Sequence, residues 1–133
     1  MRLCIFGSRN IDSESAFNIL IEETKKLNPE SIVTSGDARG VCKLAIMVSK
    51  KLSLPCKLHY LNQAKYARGK YDHRSREVLS ESDFVLFLHD GFTTGTKNEI
   101  KLAEKMNIPY KYINYVQQDF SFDSKFQLDM FED

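Results

Sequence analysis

The sequence predicts an α/β fold, a mostly parallel five-stranded sheet covered by helices on both faces. Three observations predict it. Apolar strand-length runs alternate with segments of helical periodicity along most of the chain. The clearest runs are continuously apolar, as expected of strands buried on both faces. Glycine-containing turns follow three of the runs, where a strand hands over to a helix.

The elements follow in order. Arg2 to Phe6 is an apolar run closed by Gly7 and reads as a buried strand. Asp12-Ser13 offers an N-cap, and Ala16, Phe17, Leu20, Ile21 and Leu27 recur at helical spacing until Asn28-Pro29 stops them. Ser31 to Thr34 is a second strand, ended at Gly36. From Gly40, Val41, Leu44, Ala45, Val48 and Leu52 mark a second helix. Pro55 to Tyr60 is a third strand, residues 61–71 a polar loop, and a helix follows to about Ser80. Asp83 to Leu88 is the clearest strand, Thr96 to Met106 a helix, and Pro109 to Ile113 the last strand. Five strands alternating with four helices make a Rossmann-like three-layer α/β/α domain over residues 1–114. Residues 115–133 lose the periodicity and read as a flexible acidic tail.

Composition narrows the function classes. The chain has 133 residues, 42% hydrophobic and 28% charged, which suits one globular domain. No run approaches the ~20 apolar residues of a membrane span, so no membrane partner is expected. The N-terminal run reaches Gly7 too soon for a signal peptide. Cys4, Cys42 and Cys56 are odd in number and sit among apolar residues, as reduced thiols do in a cytoplasmic protein. No His/Cys cluster has metal-ligand spacing, so no metal and no resident cofactor are expected. Net charge is +1, but residues 117–133 carry −4 and residues 1–116 carry +5. A mildly basic body suits an anionic ligand without establishing nucleic-acid binding.

In open parallel sheets, ligands sit beyond the carboxyl ends of the strands. Three such ends carry candidate loops here: Gly7-Ser8-Arg9, Gly36-Asp37-Ala38-Arg39-Gly40, and Gly91-Phe92-Thr93-Thr94-Gly95-Thr96. Glycine lets the backbone come close to a ligand, and the following helix points free N–H groups at an anion. Arg9 and Arg39 are candidates for bidentate phosphate contacts, and Ser8, Thr93, Thr94 and Thr96 for hydroxyl contacts. Asp37 is a ligand contact or a turn residue. Asp90 meets a ribose hydroxyl or starts a turn. His73 and His89 read as polar edge residues rather than acid–base catalysts. Neither a Walker loop nor a G-x-G-x-x-G fingerprint is present, which disfavours an ordinary ATPase or dehydrogenase. Residues 57–76 hold six bases among Tyr60, Tyr66 and Tyr71. They suit a lid over a nucleotide, with a tyrosine on the base, or a groove for single-stranded nucleic acid.

The CIFGSR opening, TSGDARGVCKLA (34–45) and HRSREVLSESDFVLFLHDGFTTGTKNEIKLA (73–103) together resemble the SLOG superfamily, and within it the small YpsA/YspA-type members. Relatives include the lonely-guy phosphoribohydrolases and the DNA-processing protein DprA. The resemblance implies a Rossmann-like fold binding a nucleotide or nucleotide derivative, often as a homo-oligomer. Lonely-guy enzymes carry an arginine ahead of the fourth strand and a Pro-Gly-Gly-x-Gly-Thr-x-x-Glu loop after it. Arg74, Gly95, Thr96 and Glu99 match that pattern, which implies catalytic roles for Arg74 and Glu99 in cleaving a base from ribose phosphate. The Pro-Gly-Gly opening is replaced by Gly91-Phe92-Thr93, placing two larger side chains where the family has glycines. Cys42 replaces an acidic residue common after Gly-Val.

In the tail, Gln127, Leu128, Met130 and Phe131 resemble the pentapeptide by which bacterial proteins dock on the DNA sliding clamp. Three functions are compatible with these features. One is a sensor or sequestering module for a nucleotide-type ligand. Another is an N-glycosidase acting on nucleoside monophosphates. The third is a DprA-like DNA-transaction accessory, binding single-stranded DNA and recruited to the clamp by the tail.

Overall fold

A computed structural model describes residues 1–61 and 69–115. The proposed clamp-docking residues Gln127, Leu128, Met130 and Phe131 lie outside them. The described elements run β1 (Arg2–Gly7), α1 (Glu14–Leu27), β2 (Ser31–Ser35), α2 (Val41–Lys51), β3 (Cys56–His59), α3 (Lys70–Ser80), β4 (Phe84–His89), α4 (Thr94–Lys105) and β5 (Tyr110–Asn114). The five strands form one sheet in the order β3-β2-β1-β4-β5. Every pairing is parallel, with Leu3 opposite Ile32 on one side and Phe84 on the other. The fold expected from the sequence is therefore the fold found, with the sheet wholly parallel.

Side chains alternate across each strand, so each face of the sheet builds its own core. Leu3, Ile5, Ile32, Leu86 and Leu88 pack beneath α1 and α2, with Leu20, Leu44 and Val48 from the helices. Cys4, Phe6, Val33, Val85 and Phe87 pack beneath α3 and α4, with Val78, Leu79 and Leu102. The Tyr110 ring meets Phe87 edge-on at 5.5 Å, extending the second core to the last strand. This explains why β4 is apolar without alternation: five of its six residues are fully enclosed.

Local signals fix the helix ends. The Ser13 side chain caps α1, its Oγ accepting from Ala16 N at 3.2 Å. Asn28 closes the helix in the left-handed conformation, its N–H donating to Thr24 O. α4 begins at Thr94, two residues ahead of the sequence expectation, because Thr93 already takes the extended N-cap conformation.

β1 lies between β2 and β4, and the chain switches from one face of the sheet to the other after β3. The crevice at such a switch opens between the carboxyl ends of β1 and β4. Two glycines make this end compact. A Cβ on Gly7 would overlap the Leu88 carbonyl oxygen and the Val41 side chain. A Cβ on Gly40, at φ +70°, would strike the backbone of Ser8 and Arg9. Gly95, by contrast, faces open space. Gly40→Ala should therefore lower stability by about 2–3 kcal/mol through strain and backbone displacement. Gly95→Ala, within a helix, should be neutral or stabilise by up to ~1 kcal/mol. Urea unfolding of both variants measures the difference.

Candidate functional site

The loops after β1, β2 and β4 meet along a hydrogen-bonded seam. Ser8 N donates to Leu88 O at 3.1 Å, and Asp90 N donates to Ser8 Oγ at 3.0 Å. Ser8 Oγ lies 2.9 Å from Thr93 Oγ1, which donates to Asp90 Oδ1 at 3.2 Å. The ring closes if Ser8 donates to Thr93, and every hydroxyl proton is then used inside the seam. Asp90 also accepts from Phe92 N at 2.8 Å, Thr93 N at 2.9 Å and Asn10 Nδ2 at 3.0 Å. Burial raises the Asp90 carboxyl, but the Thr93 and Phe92 amides and Asn10 outweigh it and hold the group at about 2. Of the two roles open to Asp90 in the sequence, its contacts are those of the turn.

His89 stands behind this loop, fully buried. Its Nε2 lies 3.0 Å from Thr93 O and so carries the proton, leaving Nδ1 to accept from Tyr112 OH at 2.8 Å. It props the start of α4 from below.

Above the seam, an open pocket of about 440 Å³ lies between α3 and α4 at the carboxyl ends of β1 and β4. That volume suits a small-molecule ligand. Among residues expected to form the site, Gly7, Arg9, Arg74, Thr93, Gly95, Thr96 and Glu99 line it together. Ser8, Gly36, Asp37, Arg39, Gly40, Asp90, Gly91 and Thr94 are not in its lining. Two glycines in the second group answer to the protein itself. Gly36 lies against the Tyr60 ring and Gly40 against the first loop. Gly91 adopts φ +87°, the left-handed region that its turn requires.

The Arg74 side chain is 5% exposed. It pairs through Nη1 with Asp37, which also accepts from Leu61 N at 2.8 Å. Burial raises the Asp37 carboxyl, but the Leu61 amide and Arg74 outweigh it, for a net downward shift. Arg74 Nε is buried and has no hydrogen-bond partner among the described residues. The Arg9 guanidinium lies 5.2 Å, Lys70 Nζ 5.4 Å and the Arg74 guanidinium 5.6 Å from the Tyr71 ring centroid, so one ring gathers three cations, two of which line the pocket. The opposite wall is the N-terminus of α4. Thr93 makes no side-chain cap bond there, leaving first-turn amides available.

Glu99 faces the pocket with Ser75 Oγ donating to its Oε2 at 3.2 Å. Burial pushes the carboxyl up from the usual 4.5 to about 7, against the Ser75 hydrogen bond and the charges of Arg74 and Arg9. Cys42 also lines the pocket, and burial together with the Glu99 charge raises its thiol to about 11. It is a neutral wall residue.

Two solved structures share this fold. One is the molybdenum cofactor carrier protein of Chlamydomonas reinhardtii, 15% identical, with a TM-score of 0.65 over 98% of this chain and 85% of that one. The other is DNA processing protein A of Helicobacter pylori, described for its single-stranded DNA binding, 18% identical, with a TM-score of 0.59 over 96% of this chain and 71% of that one. At such identities the likeness is one of fold. No family model and no curated protein matches the sequence.

Ser75 and Asn98 line the pocket and were not anticipated. Ser75 follows Arg74 on α3, and its distance in sequence from Glu99 hides their contact. Of the basic stretch, Lys65, Tyr66 and Arg68 lie outside the described residues, and three of its described bases are paired. Lys57 pairs with Glu81 at 3.3 Å, Arg76 with Asp72 at 2.8 Å, and Arg74 with Asp37.

Because the Glu99 carboxyl is raised on folding, its contribution to stability is complete below its unfolded value and is lost as pH rises through about 7. Glu99→Gln should therefore melt higher than the parent protein at alkaline pH and lose that advantage in mild acid. With solvent screening at a partly exposed group, the gain is roughly 1 kcal/mol, about 4 °C. Calorimetric scans across that pH range measure it.

Proposed function

We propose that this chain is a SLOG-type domain that binds a nucleotide or nucleotide-derived ligand by its phosphate, as a sensor, carrier or sequestering module. One observation carries the reading. The buried Arg74 guanidinium, Arg9 and the uncapped N-terminus of α4 converge on a single pocket at the switch point of the sheet. Each is an anion-binding device, and their partial charges add within one partly dry space. A buried arginine whose Nε finds no acceptor among the described residues supports a ligand that supplies one. The fold neighbours, one described as a cofactor carrier and the other as a single-stranded DNA binder, support ligand binding in general. The ion pairs of Lys57, Arg74 and Arg76, among the described bases of that stretch, favour the small ligand over a nucleic-acid groove.

A second reading has its own support. Glu99 exchanges its proton near neutrality inside the pocket, as a general acid or base must. In an N-glycosidase, water would add to C1′ of the ribose as the C1′–N bond breaks. The bond electrons would leave with the base, which takes up a proton, while Glu99 orients the water or steadies the cationic sugar.

Calorimetric titration with nucleoside 5′-monophosphates tests the first reading. Arg9→Ala and Arg74→Ala should each weaken binding about tenfold or more, as loss of a charged phosphate contact does. Unchanged affinity in both variants overturns the reading. Chromatography of the same mixtures tests the second. Release of free base that Glu99→Ala abolishes supports hydrolysis, and binding without release rejects it.

A further inference from the structure

A carboxylate inside an anion pocket needs its own physical account. Like charges at contact distance repel strongly when water is scarce. Elsewhere around this site, carboxylates are neutralised by the protein. Asp37 is paired with Arg74, Asp72 with Arg76, and Asp90 is wrapped in amide donors. Glu99 differs. It has no ion pair among the described residues, and its one hydrogen bond there comes from the neutral Ser75 hydroxyl. The cation best placed to neutralise it, Arg74, is already held by Asp37. Glu99 therefore faces the proposed anion with only the charges of Arg74 and Arg9 to offset its own, and burial outweighs them, so a proton is what neutralises it.

We propose that the pocket takes up its anion together with one proton held on Glu99, so that Glu99 selects for the protonated complex and affinity falls as the solution turns alkaline. The inference rests on the anion-binding reading above. Protonated, Glu99 offers an O–H donor to an anion oxygen beside Arg9 and the α4 amides. Ionised, it repels the same oxygen. The near-neutral titration of the free carboxyl places the change within the working range, and a bound anion raises it further.

Among the described residues, other groups facing Glu99 are few. From α3 come Tyr71, Asp72 and Arg74, from the first loop Arg9, and from α2 Cys42, whose thiol stays neutral well above this range. Cys4 on β1 is raised well above its ordinary value by burial. Asp37 reaches the site only through Arg74 and is shifted downward, away from the window. His59, His73 and His89 are outside the lining. Glu99→Gln keeps all of these and removes only the titrating carboxyl.

Inorganic sulfate is the probe, because it keeps its charge from about pH 6 to about pH 8.5 and isolates the protein's own titration. The full chain should bind sulfate about tenfold more weakly at the alkaline end. Glu99→Gln should bind with nearly the same affinity at both. The same slope in both proteins, or a flat profile in the parent, overturns the proposal while leaving anion binding intact. Absence of sulfate and nucleotide binding at either pH overturns the anion-binding reading and this inference with it. Carboxyl ¹³C NMR of the parent protein gives an independent arm: the Glu99 midpoint should move upward when sulfate is added. An unmoved or lowered midpoint counts against the proposal even if the variant folds poorly.

Discussion

The joint between the ends of β1 and β4 sets the floor of the pocket and the start of α4 beside it. Gly7 is in register with Leu88, and the absence of a side chain there lets the two strand ends and the first residue of α2 close on one another. Ser8 then bonds to the fourth strand and loop through both its amide and its hydroxyl. Because the joint is made of short bonds between buried groups, Arg9 and the start of α4 are held in fixed relation. A ligand spanning them would meet groups whose relative positions these bonds already set.

Three carboxyl groups around this joint show how environment divides one chemistry into separate roles. Asp90, surrounded by amide donors, is held ionised and serves the loop. Asp37, beside a buried guanidinium, is also held ionised and orients Arg74. Glu99, desolvated and supported by one hydroxyl, stays near its proton. The first two maintain the shape of the site, and only the third is poised to exchange charge with a ligand.

The fold was legible because its signals are local. Continuous apolar runs, Ser13 as a cap and Asn28-Pro29 as a stop each act within a few residues. The site was legible only in outline. Sequence position brought Arg9, Gly95, Thr96 and Glu99 to one sheet edge, and they do share one pocket. What each residue touches depends on pairs distant in sequence: Asp37 with Arg74, Ser75 with Glu99, and Ser8 with Thr93. Glycine was the most ambiguous signal. Gly36 and Gly40 have the composition of a ligand loop, yet their missing side chains make room for Tyr60 and for the first loop. A close approach to ligand and a close approach to chain look alike in sequence.

The Gly91-Phe92-Thr93 segment shows what its side chains do to the pocket. Larger residues in place of glycines would close a site only if they pointed into it. Phe92 is 78% exposed and absent from the lining. The Thr93 hydroxyl is turned to Ser8 and Asp90. The turn that sends Phe92 outward is set by the positive φ of Gly91 and by Asp90 accepting from the next two amides. The loop therefore leaves the pocket open, and on the proposed reading it is Glu99 that separates holding a ligand from cutting it. A carboxyl that has given up its proton would favour catalysis by charge. One that keeps it would favour retention of the anion, because its O–H then adds a bond that leaves only when the proton does.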